Sequence, residues 1–338
     1  MELKELLSHM IEKGASDLHL TAGMPPLLRI DGQLSGTESE SLTPEEVQVL
    51  AYSILDQQEV ESFQRAKALD KSLNIETIGR FRVSLYCERG NIAAAVRLIP
   101  SRIPSVNELG LPKVAVDFAN KSKGLILICG ATGSGKSTTM AAMIDHINRT
   151  RRCHIISIED PIEYIHQHNS SVVNQRELGQ DVTSFARGVR EVLREDPDVV
   201  AIGEMRDLET IRTSLLLAET GHLVLTTLHA SGAPHSISRI VDVFPAEEQQ
   251  SVRLQLSLTL IGVIVQQLIP GISSNGRVLA AEVMVSSPAI QNLVRENDLQ
   301  QINAVIEANT KRGMCTMNQS MAELISKGKI ALHVALSN

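Results

Sequence analysis

A loop of eight residues, Gly130 to Ser137 with the sequence GATGSGKS, constrains the fold of this chain more than any other stretch. It fits the pattern G-x-x-x-x-G-K-[ST] of a phosphate-binding P-loop. Its glycines let backbone N–H groups curl around an anion without side chains in the way. We expect Lys136 to reach the β- and γ-phosphates of a nucleotide and Ser137 to hold Mg²⁺ through its hydroxyl. The residues predicted to contact the nucleotide are Gly130, Ala131, Thr132, Gly133, Ser134, Gly135, Lys136, Ser137 and Thr138.

The sequence on either side of the loop supports this interpretation. Residues 124–129 form a continuous apolar run of the kind that a buried parallel strand needs. Residues 137–149 have helical periodicity, with Met140, Met143, Ile144 and Ile147 on one face. A strand, a glycine loop and a helix in this order direct a helix N-terminus at a phosphate. The alternative, a glycine-rich turn with an unused lysine, does not explain this context, and we predict a nucleoside triphosphate site.

Composition narrows the class of protein. A chain of 338 residues with 43% hydrophobic and 21% charged residues has room for two domains, or three, with ample core. The net charge of −7 gives no support for non-specific binding to DNA or RNA, so no nucleic-acid partner is expected. The four cysteines are scattered without a C-x-x-C pair, which argues against a zinc site or a disulfide framework and favours reduced thiols.

Two features bear on cellular location. The first residues, MELKE, lack the basic-then-apolar layout of a signal peptide. The longest apolar run, Leu260 to Val265, is far shorter than the roughly 20 residues that a membrane span needs. We therefore expect a cytoplasmic protein whose association with a membrane is through partners.

The first 100 residues predict a small α+β domain. Residues 1–13 read as an amphipathic helix, and Asp31-Gly32 between apolar flanks predicts a hairpin. Residues 80–85 alternate between polar and apolar side chains, and a turn at Arg89 to Asn91 leads into a second strand that ends at Ile99. Prolines then mark a linker at residues 101–113.

Residues 114–338 predict an α/β domain, because apolar strands alternate with helices. The predicted strands are residues 125–129, 154–158, 199–202 and 223–228. From about residue 230 the pattern becomes mostly helical, with one further strand at Val278 to Val285.

Acidic side chains follow two of these strands. Residues 158–163 read IEDPIE, and residues 198–204, DVVAIGE, are an apolar strand that ends in an acid. In an α/β sheet, ligands bind beyond the carboxyl ends of the strands. A carboxylate there can orient or deprotonate the water that attacks the γ-phosphate, or coordinate a metal. The alternatives are a solvated acidic loop at residues 159–163 and a surface helix start after Glu204.

Histidines lie on either side of a third predicted strand. His229 follows the strand at residues 223–228, directly after Thr226, Thr227 and Leu228. It can sense the γ-phosphate or couple the nucleotide to a neighbouring segment. For His222 a structural and a functional role are about equally supported.

These motifs together resemble one family. The P-loop, IEDPIE, DPDVVAIGEMRD and TGHLVLTTLH are similar to the Walker A, Asp box, atypical Walker B and His box of the secretion ATPase superfamily, which drives type IV pili and type II secretion. The order and spacing hold over residues 124–230, and the flanking domains also fit. The chain looks most like pilus retraction ATPases of the PilT type, because its N-terminal part is short and a tetracysteine zinc module is absent from the sequence.

A further stretch resembles a sequence signature of the retraction ATPases but differs from it at two positions. Residues 289–296, AIQNLVRE, resemble the retraction signature AIRNLIRE but carry Gln291 and Val294. Ile290, Leu293 and Val294 form an apolar helical face in either case. The departure leaves room for an accessory retraction paralogue.

The resemblance implies a fold and a set of roles. It implies a PAS-like N-terminal domain followed by a RecA-like P-loop ATPase domain. Glu163 would be the catalytic carboxylate and Glu204 the Walker B acid and Mg²⁺ ligand, directly or through water. His222 and His229 would be the catalytic His-box pair. It also implies a ring-shaped homo-hexamer in which Arg82 and Arg97 of one subunit contact the neighbour's nucleotide, although solvated surface arginines would look the same in sequence.

We therefore expect a hexameric, ATP-hydrolysing motor for type IV pilus retraction that acts on an inner-membrane platform protein. ATP is favoured over GTP because no N-K-x-D element is visible in the sequence. Three alternatives stay open: a motor for pilus assembly or type II secretion, a DNA-translocating P-loop motor, and a regulatory subunit that binds ATP without turnover.

Overall fold

The backbone divides into two units, Met1–Arg102 and Ile103–Asn338, in a computed structural model that describes residues 2–30, 32–100, 102–272 and 276–337. Each unit has a hydrophobic core of its own. Residues 102–113, within the predicted linker, are neither helix nor strand, and residue 101 lies outside the described residues.

The first unit is an antiparallel sheet with helices. Its elements are α1 (Leu3–Glu12), β1 (Asp17–Leu20), β2 (Leu27–Ile30), β3 (Gln33–Gly36), α2 (Pro44–Tyr52), α3 (Gln57–Ala66), β4 (Ala68–Ile75), β5 (Gly79–Glu88) and β6 (Asn91–Ile99). The strand order is β3-β2-β1-β6-β5-β4. Along β5, Phe81, Val83 and Leu85 are buried, so Arg82 lies on the opposite face of the sheet.

Both predicted hairpins of this unit are confirmed by the strand pairing. β2 pairs with β3, and β5 pairs with β6, each in antiparallel orientation. Asp31 of the predicted Asp-Gly turn lies outside the described residues. The edge strand β4 was not predicted.

The second unit is a mostly parallel sheet with helices on both faces. Its elements are α4 (Val114–Ala119), β7 (Gly124–Cys129), α5 (Lys136–Thr150), β8 (His154–Glu159), β9 (Val172–Glu177), α6 (Phe185–Val192), β10 (Val199–Ile202), α7 (Leu208–Glu219), β11 (Leu223–Leu228), α8 (Ala233–Val241), α9 (Ala246–Thr259), β12 (Leu260–Pro270), β13 (Arg277–Val285), α10 (Pro288–Arg295), α11 (Ile302–Ala308), α12 (Met317–Ser326) and α13 (Leu332–Leu336). The strand order is β13-β12-β7-β11-β10-β8-β9. Side chains of β7 alternate between two cores, with Leu125 and Leu127 in one and Ile126 and Ile128 in the other. This strand therefore lies at the centre of the unit, directly before the glycine loop.

The strand predictions for this unit are confirmed in part. The predicted strands at residues 125–129, 154–158, 199–202, 223–228 and 278–285 correspond to β7, β8, β10, β11 and β13. After residue 230 the second unit is mostly helical, as predicted, but it contains one strand that was not predicted, β12 (Leu260–Pro270), which pairs with β7 and β13. No helix among the described residues is both long and apolar enough to cross a lipid bilayer.

Candidate active site

The loop between β7 and α5 has the backbone shape that the motif predicts. Gly130 has a φ of +144°, and Gly135, which directly precedes α5, has a φ of +90°. A Cβ on Gly130 would lie 2.5 Å from the backbone oxygen of Gln266 and 2.5 Å from Ser134 Oγ. No side chain fits there, so glycine lets the loop turn sharply out of the strand.

Lys136, the first residue of α5, is buried against this loop. Its Nζ donates hydrogen bonds to the backbone oxygens of Gly130, at 3.0 Å, and Ala131, at 2.9 Å. Burial lowers the pKa of Lys136, while negative charges, that of Glu204 foremost and that of Glu163 more weakly, act in the opposite direction. The P-loop cation and the two predicted carboxylates are therefore close enough to interact electrostatically.

The start of α5 fits a phosphate group. The first turn of a helix leaves backbone N–H groups without helical partners, and the helix dipole favours an anion there. Ser134 Oγ is buried and has no hydrogen-bond partner among the described residues. Ser137 and Thr138 are half-buried in the same turn. These donors and the glycine-shaped space suit the phosphates of a nucleotide.

Glu204 lies beyond the carboxyl end of β10 and has two cationic or hydrogen-bonding neighbours. Its Oε1 is 3.2 Å from His229 Nε2, and its Oε2 accepts a hydrogen bond from Arg206 Nη2 at 2.8 Å. Burial would raise the pKa of Glu204, but the Arg206 hydrogen bond and the charges of His229, Arg206 and Lys136 outweigh it, so this pKa lies below its usual value. Glu204 is thus held as a carboxylate.

The ends of β10 and β11 are tied together, which explains why His229 meets Glu204. The two strands pair in parallel, with Ile202 opposite Thr226. Thr227 Oγ1 donates to the backbone oxygen of Gly203 at 2.6 Å, and the N–H of Met205 donates to the backbone oxygen of Thr227 at 3.2 Å. The residues that follow both strands are therefore held side by side.

Glu163 lies in the loop after β8, which contacts the first turn of α5. Tyr164 is buried, and its hydroxyl is 3.1 Å from Thr138 Oγ1. Glu163 itself is half-buried. The loop that carries Glu163 therefore lies against the first turn of α5, and the catalytic role of Glu163 stays a prediction.

His222 does not join this group within the chain. It precedes β11, and its backbone oxygen accepts the N–H of Gly124 at the start of β7. Its Nδ1 is 3.0 Å from the backbone oxygen of Leu217. The length of β11 separates it from His229 by about 20 Å at the rise of a strand. Within one chain, His222 therefore lies at the opposite end of β11 from His229, and its catalytic role stays a prediction.

The two predicted arginines lie together in the first unit. Arg82 and Arg97 are opposite each other on β5 and β6. Arg97 Nε is 2.7 Å from Oδ1 of the buried Asp17, whereas the half-buried Arg82 forms no ion pair with a described residue. Both line a concavity of about 380 Å³ together with Asp17 and Asp70. An arginine that is partly removed from water and forms no ion pair with a carboxylate is suited to bind an anion.

One buried polar neighbour of the loop is not predicted from the sequence. Gln266 of β12 is buried beside the P-loop, and its Nε2 donates to Thr139 Oγ1 at 2.8 Å. The signal was present, because Gln266 follows an apolar run as Glu163, Glu204 and His229 do. It was overlooked because the run was not assigned as a strand.

Known proteins resemble this chain along its whole length. The family model described as "Type II/IV secretion system protein" matches residues 1–333. The chain is 44% identical over 331 residues to the type IV pilus retraction ATPase PilT of Pseudomonas aeruginosa, covering 98% of this chain and 96% of that protein. It is 39% identical over 338 residues to the type IV pilus ATPase PilU of the same species, covering 100% of this chain and 88% of that protein.

A solved structure agrees with these sequences. The crystal structure of the pilus retraction motor PilT with bound ADP matches with a TM-score of 0.93 and 48% identity, covering 100% of this chain and 96% of that one. These comparisons confirm the predicted fold, ATPase activity and a nucleotide as the ligand. Because the family model matches residues 1–333 of 338, the chain belongs to the Type II/IV secretion system protein family.

Proposed function

We propose that this chain is a subunit of a homo-hexameric motor that hydrolyses ATP to retract type IV pili, and so powers twitching motility. One observation carries the proposal. Lys136, Glu163, Glu204 and His229 are grouped around one glycine loop in a chain that aligns end to end with a retraction ATPase.

Hydrolysis follows from the groups around the loop. Water attacks the γ-phosphorus of ATP, the bond to the β,γ-bridging oxygen breaks, and ADP and phosphate leave. Glu163 orients this water and accepts its proton, while Lys136 and the loop N–H groups stabilise the charge on the phosphates. Glu163 is suited to this role because it lies in the loop after β8 that contacts the first turn of α5, where Tyr164 meets Thr138.

Ser137 and Glu204 are the residues that would hold Mg²⁺, Glu204 directly or through water. Hydroxyl and carboxylate oxygens are the donors that Mg²⁺ prefers. When bound, Mg²⁺ neutralises charge on the β- and γ-phosphates. His229, 3.2 Å from Glu204, orients that carboxylate and can report the state of the γ-phosphate to the segment that follows β11.

Arg82 and Arg97 are proposed to act on the nucleotide of a neighbouring subunit. Arg82 is partly desolvated and has no carboxylate partner among the described residues, and Arg97 is oriented by Asp17. An arginine supplied in trans would stabilise the charge of the transferring phosphoryl group. Binding and release of the nucleotide would then close and open a subunit boundary, and a ring of six subunits would convert hydrolysis into rigid-body motion.

The motor is proposed to act on an inner-membrane platform protein, at the cytoplasmic face of that membrane. No nucleic-acid partner is proposed, because the chain has a net charge of −7. An accessory retraction role is the second candidate. It is favoured by the full-length similarity to PilU and by Gln291 in the half-buried face of α10.

Steady-state phosphate release by the purified full chain tests the catalytic assignment. Glu163→Gln keeps the size of the side chain and removes the carboxylate that accepts the proton. We therefore expect kcat to fall at least about 100-fold with little change in ATP affinity. Lys136→Ala should abolish turnover. Glu247→Gln, the same change at an exposed position on α9, is the matched control and should retain wild-type activity. Wild-type kcat in Glu163→Gln would remove that carboxylate from the mechanism.

A deletion strain tests the direction of the motor. Loss of a retraction motor leaves excess pili on the surface, whereas loss of an assembly motor leaves none. Excess pili without twitching motility is the expected phenotype, and bald cells would contradict retraction.

A further inference from the structure

We propose that Gln175 and Glu177 of β9, together with Glu159, form a clamp that fixes the backbone at Glu163 and thereby positions the carboxylate that acts on water. The inference rests on the proposed catalytic role of Glu163. These three are positioning residues, because they act through Glu163.

Hydrogen bonds from β9 reach the backbone on both sides of Glu163. Before it, the N–H of Ile162 donates to Glu177 Oε2 at 3.1 Å. After it, Gln175 Nε2 donates to the backbone oxygen of Tyr164 at 2.8 Å, and Gln175 Oε1 accepts the N–H of His166 at 2.8 Å. Both the donor and the acceptor of the Gln175 amide are therefore used to hold this loop.

Glu159 completes the clamp from the end of β8. Its carboxylate accepts hydrogen bonds from Ser157 Oγ at 2.6 Å and Gln175 Nε2 at 2.9 Å. Burial raises the pKa of Glu159, and the hydrogen bonds from Ser157 and Gln175 oppose that rise. The clamp thus holds the backbone on both sides of Glu163, at Ile162, Tyr164 and His166, and leaves the Glu163 side chain out of these contacts.

The side chains of the clamp belong to two paired strands of the sheet. β8 and β9 pair in parallel, with Ser157 opposite Gln175 and Glu159 opposite Glu177. Gln175 and Glu177 are alternate residues of a strand and lie on the same face of the sheet. Glu177 is 4% exposed, so its carboxylate has little access to water as a competing partner. Side chains held by regular strands position a loop more accurately than the loop can by itself.

Accurate positioning has a direct effect on rate. A displacement of about 1 Å in a catalytic group can reduce a rate about 100-fold, because the reacting atoms no longer meet in line. ATP affinity depends on the P-loop, and the hydrogen bonds that Gln175 makes lead to Glu159, Tyr164 and His166 and not to that loop. Loss of the clamp should therefore lower kcat and leave the affinity for ATP nearly unchanged.

The test is Gln175→Met in the full chain, which keeps the length of the side chain and removes its hydrogen bonds. We expect kcat for phosphate release to fall at least about tenfold, with KM and the Kd of a fluorescent ATP analogue within about twofold of wild type. Asn174→Ala, on the same strand but on its exposed face, is the matched control and should keep wild-type kcat.

A double-mutant cycle separates positioning from general damage. If Gln175 acts through Glu163, adding Gln175→Met to Glu163→Gln causes no further loss of the residual rate. A further tenfold loss in that background overturns the clamp, as does wild-type kcat in Gln175→Met while Glu163→Gln is inactive. Wild-type kcat in Glu163→Gln is a different result, which overturns the proposed function and the clamp with it.

Ser157→Ala provides the test if Gln175→Met does not fold. It removes the hydrogen bond that the Ser157 hydroxyl donates to Glu159 and leaves the loop contacts of Gln175 and Glu177 in place. A smaller fall in kcat, also absent in the Glu163→Gln background, supports the clamp, and an unchanged kcat overturns it.

Discussion

Substitution of Gly130 by alanine tests the geometry of the P-loop most severely. An added Cβ would lie 2.5 Å from the backbone oxygen of Gln266 and 2.5 Å from Ser134 Oγ. The first of these atoms belongs to the backbone of β12, which pairs with β7 and cannot move without breaking the sheet. The φ of +144° is also a value that side chains other than that of glycine rarely allow.

Two costs add up at this position. A residue held in such a backbone conformation costs about 1–3 kcal/mol. Overpacking in a well-packed interior costs about 1–3 kcal/mol more. We expect Gly130→Ala to destabilise the second unit by about 4 kcal/mol, which lowers its midpoint of thermal unfolding by roughly 8–16 °C. ATP affinity should fall at least about tenfold, because the loop N–H groups are displaced from the phosphates.

Gly179→Ala in the same unit is the matched control. Gly179 has a positive φ of +85°, but nothing lies within 4 Å of an added Cβ. This variant should lose about 1 kcal/mol, or roughly 2–4 °C, with ATP affinity unchanged. The measurements are thermal unfolding followed by circular dichroism and titration with a fluorescent nucleotide. Equal stability of the two variants would refute the argument that close packing, and not φ alone, requires glycine at position 130.

Three further predictions concern charge, packing and thiol reactivity. Arg206→Ala removes the hydrogen bond and the charge that lower the pKa of Glu204. The acid limb of the plot of kcat/KM against pH should therefore move to higher pH. An acid limb at the wild-type pH would show that Arg206 has no effect on catalysis through Glu204. Gly262→Ala places a Cβ 2.2 Å from Phe118 Cζ. It should lower the free energy of unfolding of the second unit by about 3 kcal/mol, measured by urea unfolding. Wild-type stability of this variant would contradict the close packing at Gly262. Burial raises the pKa of the Cys129 thiol to about 12, so alkylation at pH 8, mapped by mass spectrometry, should modify the exposed Cys87 and spare Cys129 until the protein unfolds. Rapid labelling of Cys129 in the folded protein would contradict its burial.

The positions of the predicted site residues in the fold follow a simple local rule. Lys136, Glu163, Glu204 and His229 each lie just beyond an apolar strand, and parallel strands bring their carboxyl ends to one edge of a sheet. By the same rule His222 lies at the opposite end of the parallel strands, because it precedes β11. The grouping of His222 with His229 came from the family resemblance, which does not distinguish the two edges.

The strands that were missed lack a readable periodicity. β12 is buried on both faces over most of its length, so its continuous apolar run cannot be told from a buried helix by pattern. β4 and β9 lie at sheet edges and are partly exposed, so few of their residues alternate between apolar and polar. Gln175 and Glu177 were missed with β9, because their contacts depend on a strand pairing that joins distant parts of the chain.

Subunit mixing tests most directly the proposal that a neighbouring subunit completes the site. Lys136→Ala and Arg82→Ala are each expected to be nearly inactive in phosphate release. In an equal mixture assembled into rings, roughly a quarter of the boundaries pair an intact P-loop with an intact Arg82, so about that fraction of wild-type activity should return. A mixture as inactive as its two components, or wild-type activity of Arg82→Ala alone, would contradict the claim.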